Sequence, residues 1–202
     1  VVTRHLGDRL DIIMTHNEPW VTAFVGHYFG THAPGTRDLT DALRALHHLM
    51  LSHGLGAEDI RSEAAKAIKV GITLNLDPIY PVSNSARNLQ AVQMADTFLN
   101  RIVLDPLLKG TSPLQENKMI DALVGNIIKD GDLKKINTLD LLGVNYYTRL
   151  VVKHSNRVPL VKFAQVNPVG NEYSGMWEIY PEGIYDLLKQ IHQEYKPGCD
   201  MM

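Results

Sequence analysis

Leu10-Asp11-Ile12-Ile13-Met14-Thr15-His16-Asn17-Glu18-Pro19-Trp20 runs from a short apolar segment straight into an amide, a carboxylate and a proline. Residues 10–14 are mostly apolar and branched, which predicts a buried strand. Two further segments match it, Val70-Gly71-Ile72-Thr73-Leu74-Asn75-Leu76 and Leu141-Leu142-Gly143-Val144-Asn145-Tyr146-Tyr147. Near-continuous apolarity is what a parallel strand covered on both faces needs. Between the strands the spacing turns helical. Ala42, Leu46, Leu49, His53, Gly56, Ile60, Ala64 and Ala67 recur at steps of three and four, predicting one long helix weakened at Gly54 and Gly56. Val92, Ala95, Leu99 and Ile102 predict a second helix ending near Asp105-Pro106. Ile184, Leu187, Leu188, Ile191 and Tyr195 predict a third, opening near Pro181 and stopped by Pro197-Gly198. Residues 154–174 are polar and irregular and read as a long loop.

Alternating strands and helices imply an α/β fold, a parallel sheet with right-handed crossovers. The strands begin near residues 10, 70 and 141. Each unit therefore takes roughly 65 residues, well above the minimum of about 30. Eight such units would need on the order of 500 residues, the upper range of a (β/α)8 TIM barrel. The chain has 202 residues and room for three. The expected fold is an incomplete barrel, with residues 1–202 forming one partial segment of it. The Val1-Val2 opening lacks an initiator Met and a signal-peptide pattern, and the Cys-Asp-Met-Met close is equally abrupt. Both read as cuts.

Composition closes several alternatives. The chain is 45% apolar and 21% charged, which suits a packed core and not a disordered segment. Twenty Lys and Arg against 22 Asp and Glu leave a formal charge of -2, giving no basic footprint for nucleic acid and no basic run for a membrane surface. No segment approaches the ~18 consecutive apolar residues of a transmembrane helix. Cys199 is the only cysteine, so no internal disulfide forms, and no Asn-x-Ser/Thr sequon occurs. Both facts lean towards a reducing, cytoplasmic setting. His47, His48 and His53 lack a His-Glu-x-x-His pattern, and His53 falls on the apolar helix face, as a hydrogen-bonded core histidine would. Gly54-x-Gly56 lacks the third glycine of a dinucleotide fingerprint, and Asp130-Gly131-Asp132 is a turn signal with too few ligands for calcium. No metal and no cofactor is expected.

In a parallel barrel the C-terminal ends of the strands carry the active site. Glu18, beside Asn17 and stiffened by Pro19, is placed for general acid/base work. The alternative is that Asn17 caps a helix whose first turn holds Glu18 and Pro19. Asn145 and Tyr147 are two apart and so project to one side of the third strand. Polar groups at the end of a buried strand mark either a hydrogen-bonded core or a site.

Five segments together carry a resemblance. Thr15-His16-Asn17-Glu18-Pro19 is similar to the Thr-x-Asn-Glu-Pro motif of family 1 glycoside hydrolases, the retaining β-glucosidases and β-galactosidases. Leu6-Gly7-Asp8-Arg9-Leu10 resembles that family's lead-in to the strand, and Gly30-Thr31-His32-Ala33-Pro34-Gly35 its following loop. Leu142-Gly143-Val144-Asn145-Tyr146-Tyr147-Thr148 resembles its Gly-Asn-Tyr-Tyr strand. Trp177-Glu178-Ile179-Tyr180-Pro181-Glu182-Gly183 resembles the segment opening its next helix. All five occur in the family's order across nearly the whole chain. The resemblance implies an eight-stranded barrel of which this chain is strands four to six. It implies Glu18 as general acid/base and Asn17 as holder of the sugar 2-hydroxyl. Tyr147 would hydrogen-bond the nucleophile carboxylate, with Asn145 lining the same pocket. Asn75 is assigned to the aglycone side and Trp177 to its entrance. The implied substrate is a β-glucoside or oligosaccharide.

In a retaining mechanism one carboxylate attacks the anomeric carbon while the other protonates the leaving oxygen, then acts as base on water. Glu18 must carry its proton when substrate arrives. The second carboxylate is missing. In the family it lies in a Thr-Glu-Asn-Gly motif on the seventh strand, whereas this chain reads Lys196-Pro197-Gly198-Cys199-Asp200-Met201-Met202 there. Glu178, Glu182 and Asp77 read as residues that cap or flank elements, not as substitutes. Smaller departures are Met176, where the family usually has Gly, and Ser112, where it usually has Tyr. Two readings follow: part of a β-glycosidase working with the rest of its barrel, or a catalytically inactive fragment or assembly module. A barrel segment with open edges invites a homo-oligomer or a complementing chain.

Overall fold

A computed structural model describes residues 1–116, 127–158 and 161–202. The chain divides into two units. The first comprises Val1–Asn75, Val103–Val144 and Pro197–Met202, and the second Leu76–Ile102 and Asn145–Lys196.

A four-stranded sheet organises the first unit, in the order β1 (Ile12–Asn17), β2 (Lys69–Asn75), β4 (Leu141–Asn145) and β9 (Asp200–Met201). β1 pairs β2 in parallel, and β4 pairs β9 in parallel. The strands bury Val70, Ile72, Leu74, Leu141 and Leu142, the apolar runs that predicted them. Two details differ from expectation. β1 starts later than residue 10 and runs through Thr15-His16-Asn17, so most of the motif lies inside the strand. Its register also slips: Met14 faces Gly71 but Asn17 faces Thr73. Three steps along β1 match two along β2, which is a β-bulge at Thr15-His16. The residues closing the chain supply the short β9.

The long helix α2 (Leu39–Glu63) follows a short N-terminal helix, α1 (Val2–Leu6). Asp38 caps α2, its side chain accepting the Asp41 N–H at 2.9 Å, a contact worth about 1 kcal/mol. The buried stripe is Ala42, Leu43, Leu46, His47, Met50, His53, Gly54 and Ala57. It lies beside the expected one: Leu49, Gly56 and Ile60 are half-buried, and Ala64 and Ala67 fall beyond the helix end. Gly54 strengthens the packing here. A Cβ at Gly54 would stand 2.2 Å from the Lys135 carbonyl oxygen, so glycine lets α2 meet the backbone of α6 (Asp132–Ile136).

Two histidines on α2 are core residues. His47 Nε2 lies 3.0 Å from Asp132 Oδ2, both side chains being buried. His53 is fully buried, with Nδ1 2.7 Å from Thr15 Oγ1 and Nε2 3.0 Å from the Thr138 carbonyl oxygen.

The second unit holds the sheet β3 (Ile79–Pro81), β5 (Leu150–His154) and β6 (Phe163–Gln165), in that order. β3 pairs β5 in parallel and β5 pairs β6 antiparallel. Helix α3 (Ala86–Asp96), capped by Ser85, packs Ala91 and Ala95 on Leu150 and Val152. β6 falls in the segment expected to be a loop, as does part of the hairpin β7 (Tyr173–Ser174) and β8 (Trp177–Glu178). Its strands are two or three residues long, too short for alternation to show. After α3 a π-helical turn, Thr97–Arg101, leads into α4 (Ile102–Leu108). Pro106 lies inside α4 and does not stop it, forgoing one backbone hydrogen bond. Helix α7 (Glu182–Tyr195) buries Gly183, Leu187 and Ile191 and ends on left-handed Lys196, just before Pro197. No described helix is long and apolar enough to cross a membrane.

Burial pushes the His53 imidazole from its ordinary 6.5 down to about 4, with His16 and Arg61 adding to the shift and the Thr138 carbonyl and Asp140 opposing it. The folded chain therefore holds this ring neutral where the unfolded chain would protonate it. Stability from this group is complete above about pH 6.5 and is lost as pH falls towards about 4, by on the order of 3 kcal/mol. Urea midpoints followed from neutral pH downward should show this loss, and His53→Leu should flatten it.

Candidate active site

β1, β2 and β4 each end in an asparagine: Asn17, Asn75 and Asn145. In the first unit Glu18 directly follows Asn17. Its backbone N–H donates to the Thr73 carbonyl at 2.8 Å, and its own carbonyl accepts the Thr22 N–H at 3.1 Å. Glu18 has φ 51°, the left-handed region that non-glycine residues seldom occupy. The strand ladder and the next helix thus meet at this residue. Pro19 and Trp20 are buried behind it, Trp20 stacking on Phe24 at 5.0 Å in the π-helix Val21–Tyr28. The capping alternative for Asn17 is corrected here. Asn17 belongs to the strand, and the π-helix begins after Trp20 with no side-chain cap.

Asn75 stands at the same end of the neighbouring strand, two residues past Thr73. Among the described residues, its Oδ1 is the one buried side-chain polar atom without a hydrogen-bond partner. An orphaned buried acceptor costs about 1–3 kcal/mol, and a ligand hydroxyl would relieve it.

The second unit places the aromatic residues. β4 ends at Asn145, so Tyr147 lies beyond the strand and the two-residue alternation does not set its direction. Tyr147 stacks on Trp177 with ring centroids 5.2 Å apart and planes 19° from parallel. The rings are 49% and 45% exposed, an open aromatic pair. It is held from behind. Thr148 Oγ1 donates to the Glu178 carbonyl at 2.9 Å, and Arg149 forks onto the Glu178 carboxylate at 2.9 and 2.8 Å. The guanidinium carbon lies 4.0 Å from the Tyr180 ring centroid and 5.6 Å from that of Tyr80. The Arg149 fork holds Glu178 below the usual carboxylate range despite burial, with Asn171 assisting.

Glu178 was expected to flank the last helix; it lies instead in β8 as half of a buried ion pair. That commitment also removes it as a stand-in nucleophile. Glu182 does sit in the first turn of α7. Ser112 is buried and its hydroxyl accepts the Leu114 N–H at 3.3 Å at the start of α5 (Pro113–Glu116). The two arrangements that sequence spacing missed are Arg149–Glu178 and Thr15–His53. The only signal for the first was opposite charges flanking the two aromatic motif residues, and nothing in the spacing pairs them.

The model of glycosyl hydrolase family 1 matches residues 1–200. A β-glucosidase of Agrobacterium sp. is 36% identical over 206 residues, covering 98% of this chain and 44% of that protein. β-Glucosidase A of Thermotoga maritima is 36% identical over 199 residues, with 98% and 44% covered. The crystal structure of a β-glucosidase from Exiguobacterium marinum superposes with a TM-score of 0.88 at 38% identity, covering 96% of this chain and 44% of that one. The chain thus spans less than half the length of these relatives. Its parallel strands alternating with helices are an incomplete (β/α)8 barrel.

The side chains of Arg149 and Glu178 are 19% and 7% exposed. Removing one partner of such a pair strands the other's charge, so Arg149→Met should cost about 3–5 kcal/mol. Arg149→Met with Glu178→Leu should recover most of that loss in urea denaturation.

Proposed function

The chain belongs to glycosyl hydrolase family 1, and on that premise we propose that it carries the acid/base side of a retaining β-glycosidase of the β-glucosidase type. The observation that supports this reading best is Glu18 itself. It stands at the C-terminal end of a parallel strand, on a left-handed backbone that is hydrogen-bonded on both sides. A fixed carboxyl group there can deliver a proton to the leaving glycosidic oxygen and later take one from water. Asn17 would hold the 2-hydroxyl, Asn145 would line the sugar pocket, and Tyr147 would steady the attacking carboxylate. Asn75 would accept a hydroxyl of the aglycone or next sugar, and Trp177 would form the entrance. The substrate is a terminal β-D-glucoside or an oligosaccharide, and the setting is cytoplasmic.

The nucleophile must come from elsewhere. No Thr-Glu-Asn-Gly sequence occurs in these residues, and retention requires a second carboxylate about 5 Å from the first. Turnover therefore needs the rest of the barrel, from the same polypeptide or a complementing chain. The second reading, an inactive fragment or assembly module, rests on that missing motif and on β1 being an edge of its sheet.

The isolated chain should leave an aryl β-glucoside unhydrolysed, and supplying the remaining strands should restore turnover. In the restored enzyme Glu18→Gln should slow substrates with poor leaving groups by about 10²–10⁴ and activated aryl glycosides far less. Equal losses for both would sink the acid/base assignment. Turnover by the isolated chain that Glu18→Gln abolishes would remove the inactive-fragment reading.

A further inference from the structure

The bulge in β1 turns two consecutive residues towards α2. Thr15 reaches His53 and His16 reaches Ser52, Nε2 to Oγ at 2.7 Å. Consecutive residues of a regular strand point to opposite faces, so both contacts depend on the extra residue. Ser52 gives its hydroxyl proton to the Leu49 carbonyl at 2.9 Å, so the His16 ring is the donor in that contact.

The proton positions around His53 follow from the same accounting. Its Nε2 faces the Thr138 carbonyl oxygen, which can only accept, so Nε2 carries the proton and Nδ1 is an acceptor. The Thr15 hydroxyl lies 2.7 Å from Nδ1 and 3.2 Å from the Gly71 carbonyl oxygen. It has one proton, and the neutral ring takes it. Burial keeps the ring neutral well below its ordinary range. His16, Arg61 and Asp140 are the ionisable groups acting on it.

We infer that His53 is a positioning residue for Glu18, its ring clasping Thr15 and so fixing the bulge that sets the register of the last residues of β1. This rests on the reading of Glu18 as acid/base. The bulge brings Asn17 opposite Thr73 and the Glu18 N–H onto the Thr73 carbonyl. Without the extra residue β1 would slip by one, and a one-residue slip sends each side chain to the other face. Within β2 the Gly71 carbonyl offers the Thr15 hydroxyl an acceptor at 3.2 Å, longer than the 2.7 Å contact to His53. The clasp to α2 selects the bulged register.

Nuclear magnetic resonance on the full 202-residue chain tests this without requiring turnover. Thr15→Val removes the hydroxyl at nearly constant shape, and Thr15→Ser restores it. In Thr15→Val the Glu18 amide should exchange about tenfold faster, the loss of one net hydrogen bond. The one-bond Cα–Hα coupling of Glu18 should also leave its left-handed value, while amides in β4 keep their protection. Thr15→Ser should return both signals. Unchanged Glu18 signals in Thr15→Val would overturn the proposal, as would an equal loss of protection across the sheet. If Thr15→Val does not fold, the wild-type ring decides through its nitrogen shifts: a proton on Nε2 supports the clasp, and one on Nδ1 refutes it. Equal losses for poor and good leaving groups in Glu18→Gln of the restored enzyme would count against Glu18 as acid/base and leave these signals to judge the clasp.

Discussion

The bond from the Glu18 N–H to the Thr73 carbonyl is the constraint on which the first unit's site depends. It extends the β1–β2 ladder one residue past the strand, and it can form only in the bulged register. A left-handed non-glycine residue costs of order 1–3 kcal/mol and persists only where its surroundings over-determine it. Here they do. The Thr73 carbonyl holds Glu18 from one side and the Thr22 amide from the other. Pro19 fixes the next φ, and Trp20 is buried against Phe24. The strain is held in the backbone of a strand-to-helix turn by bonds on both sides of it.

The second unit meets a similar demand by other means. Tyr147 and Trp177 are half-exposed, so burial cannot order them. Their backbone neighbours order them instead. Thr148 and Arg149 on one segment bind Glu178 on the other through three hydrogen bonds. A buried ion pair adds little net stability against an apolar pair of equal shape, because desolvation offsets the attraction. Its directionality is the useful property: the bidentate fork admits one relative placement of the two segments, and the stacked rings follow from it.

The strands that run apolar for four or more residues were legible, β2 and β4 because their burial leaves a continuous signature, whereas β1, expected to be buried, has no buried residue and leaves Ile12 exposed. The place of Glu18 at the end of the first strand was legible too, because the apolar run stops just before the amide, the carboxylate and the proline. The limits have physical causes. The strand at Thr15-His16-Asn17 was hidden because the polar side chains of Thr15 and His16 are satisfied by His53 and Ser52, far away in sequence. The stripe of α2 was misplaced by a residue or so because Gly54, which propensity counts against a helix, is where α2 comes closest to another backbone. β6 and the β7–β8 hairpin were missed because so few residues show no period. The Arg149–Glu178 fork joins residues 29 apart, and charge pairing at that range has no sequence signature.

Each unit secures its own candidate residues with its own contacts. Glu18 is held by Thr73 and Thr22, and Tyr147 and Trp177 are held by the Arg149–Glu178 fork. The carboxylate among these contacts is Glu178, which the Arg149 fork commits, whereas the bonds from Thr73 and Thr22 to the Glu18 backbone are amide–carbonyl bonds. Asn75 is different. Its buried Oδ1 is an acceptor for which the described residues supply no donor, whereas other buried polar side chains such as His53 and Asn100 are bonded. A group left in that state at the end of a strand is either a standing cost or a site for a hydroxyl from outside. The position of Asn75, at the end of the strand paired with the one that leads into Glu18, favours the second, because a hydroxyl is a donor that such an acceptor can take.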